Sequence, residues 1–193
     1  MLEDIKRKAL EEHIPIIMDD TLEVIEDIFK KEQPKRILEI GTAVGYSAIC
    51  FVKASSSDDV VVDTIELDEE RAKEAVRNIK NMGMEKNIFV HMGNAVDILP
   101  TMDGEYDVIF IDAAKGKYPF FLEQAIRLVR PNGIILADNI LYKGYVMSDY
   151  NKHKQRTAVR NLREYIREAT ENACLETEIL EVGDGLAVSR VSK

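Results

Sequence analysis

The sequence predicts an α/β fold, a mostly parallel sheet with helices on both faces. Short β-rich apolar runs alternate with longer amphipathic stretches along most of the chain, and that alternation builds parallel βαβ units. A glycine-bearing turn follows the first apolar run. The chain closes on two strand-like runs joined by Gly183-Asp184-Gly185, a hairpin signal that adds an antiparallel pair to the sheet.

The elements follow in order. Amphipathic stretches at 2–13 and 18–31 read as two helices ahead of the first strand. Strands are expected at 36–40, 60–66, 88–91, 106–111 and 133–137, with helices near 46–54, 69–82, 95–99 and 118–129 between them. Asp68 is placed to cap the helix that starts at 69, and Pro100 to end the one that starts at 95. A helix near 152–170 leads into closing strands at 177–182 and 186–191, which makes seven strands. Ser55-Ser56-Ser57-Asp58-Asp59 reads as a loop. The 193 residues hold no internal repeat, so 1–193 is expected to be one domain. Its first 32 residues would be helices over the substrate side or in a dimer interface.

Composition narrows the function classes. The chain is 46% hydrophobic and 32% charged, as water-soluble globular proteins are. Its apolar runs, such as Val60-Val61-Val62 and 108–111, fall short of the roughly 20 residues a membrane span needs. The charged segment 1–13 reads as helix rather than signal peptide. Cys50 and Cys174 lack metal-site spacing and read as reduced core residues of a cytoplasmic protein. The net charge of −9 argues against wholesale nucleic-acid binding. One stretch departs from it. Residues 143–167 carry seven basic side chains (Lys143, Lys152, Lys154, Arg156, Arg160, Arg163, Arg167) against two acids, Asp149 and Glu164. By charge alone this is a solvated helix face.

The run Ile37-Leu38-Glu39-Ile40-Gly41-Thr42-Ala43-Val44-Gly45-Tyr46-Ser47 ends a strand, turns on glycine and starts a helix. Glycine lets the backbone approach a ligand closely. The spacing is not the three-glycine dinucleotide fingerprint, and Glu39 would repel a phosphate. An acid there suits a cationic ligand, such as the sulfonium and amino groups of S-adenosylmethionine (SAM). Glu66 ends the second strand, 21 residues after Gly45, where a nucleotide-binding fold places its ribose acid. Gly93-Asn94-Ala95, after the third strand, would lie beside the adenine.

Asp112 ends the fourth strand and Asp138-Asn139 end the fifth. Three oxygen ligands at neighbouring strand ends favour a hard cation, Mg²⁺ first and Mn²⁺ or Ca²⁺ next. No histidine or cysteine sits at a matching strand end, so zinc is not expected. Lys115 follows Asp112 by three residues, close enough to accept a proton from a substrate hydroxyl. His13, His91 and His153 have no evident partner carboxylate. Tyr118, Phe120 and Phe121 read as helix packing, and Met82, Met84 and Met92 as core filler.

Together, EIGTAVGYS at 39–47, IEL at 65–67, IDAAK at 111–115, ADN at 137–139 and VGDGLA at 182–187 resemble the cation-dependent O-methyltransferases, the group of the catechol and caffeoyl-CoA enzymes. The likeness runs from about residue 12 to 191. It implies the Rossmann-like class I SAM-dependent methyltransferase fold. It also implies a cofactor set of Glu39, Gly41, Thr42, Gly45, Ser47, Glu66, Leu67, Asn94, Ala95 and Asp112, with Ser47 at the methionine carboxylate. Asp112, Asp138 and Asn139 match the metal ligands, and Lys115 matches the catalytic base. Gly93-Asn94-Ala95 departs from the commoner Gly-Asp-Ala.

Within the family the stretches 11–18, 138–150 and 181–189 are most similar to bacterial members that methylate 5-hydroxyuridine at the tRNA wobble position to 5-methoxyuridine. A tRNA anticodon loop is therefore the first expected partner. Ala187 stands where animal catechol enzymes have a substrate-positioning acid, Ala114 where they have a gatekeeping tryptophan, and Lys143 at an otherwise apolar place. The pocket should be wider and more basic than a catechol slot. Hydroxyuridine offers two adjacent oxygens to a metal, as a catechol does, and the basic stretch would meet phosphates. The rival is a catechol or hydroxycinnamoyl substrate. An inactive cofactor-binding regulator is disfavoured by the intact Asp112, Lys115, Asp138 and Asn139. The resemblance also implies a homodimer, and an N-terminal substrate-covering segment that is short or missing.

Overall fold

The chain is described from a computed structural model, which covers residues 1–55, 57, 59–149 and 155–192. It folds as two compact units, Met1–Thr101 and Met102–Lys193.

The first unit runs α1 (Leu2–Glu11), α2 (Asp19–Glu32), β1 (Arg36–Ile40), α3 (Tyr46–Ala54), β2 (Val61–Glu66), α4 (Glu69–Asn81), β3 (Ile88–Met92) and α5 (Ala95–Ile98), then a 3₁₀ turn, Leu99–Thr101. β2 pairs in parallel with β1 and with β3. Four of the five residues of β1 are buried, as expected of a strand covered on both faces. Phe29 of α2 and Phe51 of α3 are fully buried and touch at 5.2 Å between ring centroids. Asp68 caps α4, accepting the Arg71 N–H at 3.0 Å. Pro100 lies inside the 3₁₀ turn that continues α5.

The second unit runs β4 (Tyr106–Ile111), a 3₁₀ turn (Lys115–Lys117), α6 (Tyr118–Leu128), β5 (Val129–Ala137), α7 (Arg156–Glu171), β6 (Leu175–Leu180) and β7 (Leu186–Val191). β4 pairs in parallel with β5, while β7 runs antiparallel to both β5 and β6. The strand order is β3-β2-β1 in the first unit and β4-β5-β7-β6 in the second, the parallel strands and closing antiparallel hairpin that the sequence predicts. No helix among the described residues is long and apolar enough to cross a membrane.

Several expectations need correction. β5 begins at Val129, four residues before the predicted start, because Pro131-Asn132-Gly133 is an irregularity within the strand rather than a turn before it. Asn132 takes a left-handed φ of 60°. A Cβ on Gly133 would sit 2.5 Å from Val129 Cγ2 and 3.0 Å from the Asp107 carbonyl, so only glycine fits. β6 starts two residues early, and its link to β7 spans 181–185. Cys174 is exposed and only Cys50 is buried, both free. Met92 is 59% exposed, not core. His91 does have a carboxylate partner, Asp63 at 2.8 Å on the neighbouring strand. The start expected for the helix at 152, with Lys152, His153 and Lys154, lies outside the described residues.

Candidate active site

In the first unit the predicted cofactor residues gather at the carboxyl ends of β1, β2 and β3. Parallel pairing puts those ends side by side, with Ile40 opposite Ile65 and Glu66 opposite Met92. The turn after β1 bends back on β2, where Gly41 and Thr42 donate their N–H groups to the Ile65 carbonyl at 3.0 and 3.2 Å. Gly41 and Gly45 have φ of 107° and 81°, and Ala43 between them has 47°. Such angles favour glycine. At Gly45 a side chain would also press on Ala75 Cβ at 3.3 Å.

Glu39 is fully buried. Its Oε1 accepts the Ser47 hydroxyl at 2.5 Å and its Oε2 accepts the Thr64 hydroxyl at 2.5 Å. Since Thr64 gives its proton to Glu39, Thr42 is the donor in the 2.5 Å contact between the two threonine hydroxyls. A buried carboxylate needs such donors. The structure thus joins Glu39, Thr42 and Ser47 into one network. Thr64 is its fourth member, and the sequence reading missed it. Its signal was strand register, which sets it opposite Glu39.

Glu66 accepts the Ala43 N–H through Oε2 and the Asp68 N–H through Oε1, both at 2.8 Å. Each oxygen keeps a lone pair for another donor. Leu67 beside it is 71% exposed, as is Met92 at 59%, which leaves apolar surface at neighbouring strand ends. Asn94 caps α5 by accepting the Val96 N–H at 3.0 Å, so Ala95 is its first helical residue.

In the second unit Ile111 pairs with Ala137, so Asp112 and Asp138 follow adjacent strand ends. The Asp138 N–H donates to the Ile111 carbonyl at 2.9 Å. Asp138 is 1% exposed. Its Oδ1 accepts the Asn139 N–H at 2.7 Å, but Oδ2 is buried with no partner. Burial first, and then the charge of Asp112, push the Asp138 carboxyl up to about 7. Burial raises the Asp112 carboxyl too, against the pull of Lys115. Asn139 is held at a left-handed φ of 59°. Among the described residues no three His, Cys, Asp or Glu side chains form a metal-holding group. The predicted ligand set is two carboxylates and an amide.

Lys115 Nζ lies 3.9 Å from Asp112 Oδ1 and faces two rings, Tyr118 at 5.6 Å and Tyr142 at 5.9 Å. Tyr118 is buried and donates its hydroxyl to the Asp138 carbonyl at 2.7 Å. The loop after β5 is anchored by the hairpin. Asp184 accepts the Lys143 N–H at 2.5 Å and, through its carbonyl, the Leu141 N–H at 2.9 Å. A side chain on Gly185 would strike Leu141 Cγ at 2.4 Å. Sequence reading gave Tyr142 no role and Asp184 only a place in the hairpin turn, since only the folded loop brings them there.

The O-methyltransferase family profile matches residues 1–192. A catechol O-methyltransferase from Niastella koreensis is 34% identical, over 82% of this chain and 74% of its own length. A caffeoyl-CoA O-methyltransferase from Stellaria longipes is 29% identical, over 95% of this chain and 80% of its own. Among solved structures, an O-methyltransferase from Bacillus cereus in complex with SAH superposes with a TM-score of 0.88 at 27% identity, covering 99% of this chain and 90% of that one. The O-methyltransferase TomG from Streptomyces achromogenes, in complex with SAM, gives 0.88 at 25% identity, covering 100% and 89%. The chain belongs to the O-methyltransferase family, among the SAM-dependent enzymes of the catechol and caffeoyl-CoA type.

Proposed function

We propose that the protein is a divalent-metal-dependent methyltransferase whose acceptor is 5-hydroxyuridine at the wobble position of tRNA. One observation carries the metal. Of three buried side-chain atoms without a partner among the described residues, Thr21 Oγ1, Tyr165 Oη and Asp138 Oδ2, only the last belongs to a carboxylate. A second carboxylate, Asp112, adds to its cost. A hard cation relieves both the orphaned oxygen and the repulsion. Asp112, Asp138 and Asn139 would hold it. When bound, it supplies positive charge that makes an acceptor hydroxyl more acidic.

The chain's own groups do the rest. Lys115 Nζ takes the proton of the acceptor hydroxyl, while the oxygen–methyl bond forms and the methyl–sulfur bond breaks. The two tyrosine rings beside Lys115 limit where its amine reaches, and so help align the reacting atoms. In the first unit Glu66 would accept the ribose hydroxyls, and Leu67, with Asn94 and Ala95, would flank the adenine. Gly41, Thr42 and Gly45 shape the turn for the methionine part, with Ser47 at its carboxylate. Glu39 is fully covered, so it acts there as a buried negative charge rather than by contact.

Exposed cations favour the RNA acceptor. Lys117, Lys143, Arg156 and Arg160 are exposed, and Asn161, next to Arg160, bonds to Gly116, next to Lys117. Exposed cations of this kind fit phosphates. A small-molecule acceptor is the second reading, favoured by the catechol and caffeoyl-CoA relatives. Exposed Leu10 and Met18 support a homodimer, and two free thiols suit the cytoplasm. The deciding experiment incubates labelled SAM and Mg²⁺ with hypomodified tRNA and with a catechol and caffeoyl-CoA panel. Label in tRNA supports the first reading. Label only in small molecules replaces it with the second.

A further inference from the structure

α7 touches both segments that surround Lys115. Asn161 donates its side-chain N–H to the Gly116 carbonyl at 2.5 Å and accepts the Arg160 Nε–H at 3.3 Å. With both ends of its amide engaged, its orientation is fixed. Two residues on, Arg163 donates to the carbonyls of Val146 (3.0 Å), Tyr145 (3.2 Å) and Ser148 (2.5 Å). Arg163 therefore holds the loop that carries Tyr142, and its charge is engaged with that loop. The buried face of α7 adds a third tie, with Tyr165 edge-on to Tyr118 at 5.6 Å.

Apart from α7, the Lys115–Lys117 turn is held by its Lys115 side chain, which lies against Asp112 and the Tyr118 and Tyr142 rings. Among the described residues its backbone bond runs from the Lys117 N–H to the Ala114 carbonyl at 2.8 Å. A Cβ on Gly116 would meet nothing within 4 Å, and Ala114 and Lys117 are exposed. A three-residue 3₁₀ turn with an exposed end is weakly fixed. The Gly116 carbonyl lies in the second peptide group after Lys115, so a bond there restrains the short turn from which the Lys115 side chain leaves the backbone.

We infer that Asn161 is a positioning residue for methyl transfer, holding the Lys115 turn in register through the Gly116 carbonyl. It rests on the reading of Lys115 as the proton acceptor. Asn161 touches no substrate; it acts through Lys115. Misplacing a reacting group by about an ångström lowers rates by up to roughly a hundredfold, whereas a lost side-chain bond near the surface costs about 1 kcal/mol of stability. The effect should fall on kcat rather than on folding.

The test compares full-length wild type with Asn161→Asp, which keeps the shape and removes the donor, with Asn161→Ala, and with Thr170→Ala as a control on the same helix. Hydrogen–deuterium exchange over 113–118 needs no acceptor. Turnover uses hypomodified tRNA or 3,4-dihydroxybenzoate, whichever the wild type methylates. Expected in both Asn161 variants is about fivefold faster exchange at 113–118 and about tenfold lower kcat, with KM for SAM within about twofold. Thr170→Ala should match wild type. Unchanged exchange at 113–118, faster exchange with unchanged kcat, or faster exchange spread along all of α7 overturns the inference. Lys115→Ala separates the two ideas. Full turnover in that variant sinks the proton-acceptor reading, while the exchange data still report whether Asn161 holds the turn.

Discussion

Tyr118 donates its hydroxyl to the backbone carbonyl of Asp138 at 2.7 Å, tying the first residue of α6 to the end of β5. Both groups are buried. Tyr118→Phe leaves that carbonyl without its donor at a cost of about 1–3 kcal/mol. The expected outcome is a thermal midpoint lower by several degrees and weaker Mn²⁺ binding by calorimetry, since Asp138 loses its anchor. A midpoint and affinity equal to wild type would show the bond to be idle.

Asp138 gives a pH signature. Burial and the charge of Asp112 push its folded carboxyl up to about 7, above the ordinary 3.8. Between those values the folded chain keeps a proton that the unfolded chain has released. This contribution to stability is complete below about 3.8 and is lost as pH rises through about 7. Metal-free wild type should therefore be less stable at pH 8 than at pH 5 by a term on the order of 3 kcal/mol. Asp138→Asn, which cannot ionise, should flatten that part of the slope in denaturant titrations. An identical slope in the variant argues against a strained carboxylate.

Thr64→Val removes one of the two hydroxyl donors to Glu39 with little change of shape. A buried carboxylate oxygen then lacks a partner, and stability should drop by about 1–3 kcal/mol. Urea unfolding measures it directly, and SAH affinity should fall as the turn after β1 relaxes.

The two thiols should react differently. Burial pushes Cys50 up to about 12, while Cys174 is exposed. A disulfide reagent at pH 8 should titrate one thiol in native protein and two in denaturant. Two fast thiols in the native state would place Cys50 in reach of solvent.

Much of the fold was legible because local pattern and tertiary structure agree. The alternation of runs fixed β1, β4 and β7 to the residue, and Asp68 caps α4 as its type and place foretold. The irregular start of β5 was not legible. Pro131-Asn132-Gly133 carries turn chemistry, and only the pairing with β4 makes it strand. That the candidate site residues gather at strand ends was readable because parallel strands bring their carboxyl ends together. Thr64, Tyr142, Asn161, Arg163 and Asp184 were not, since each acts on a partner set by register or loop path rather than by sequence spacing. Arg163 shows the difference. In sequence it belongs to a basic stretch, yet in the fold its guanidinium binds three carbonyls of the 145–148 turn.

The central claim is that the Asp112 and Asp138 carboxylates serve methyl transfer by holding a divalent ion. The most direct measurement is transfer of labelled methyl from SAM to the identified acceptor in excess chelator, followed by Mg²⁺ titration, in wild type and in Asp138→Ala. Turnover should vanish in chelator, return with Mg²⁺ in wild type only, and leave SAH binding intact in the variant. Undiminished transfer in chelator, or a fully active Asp138→Ala, would contradict the claim.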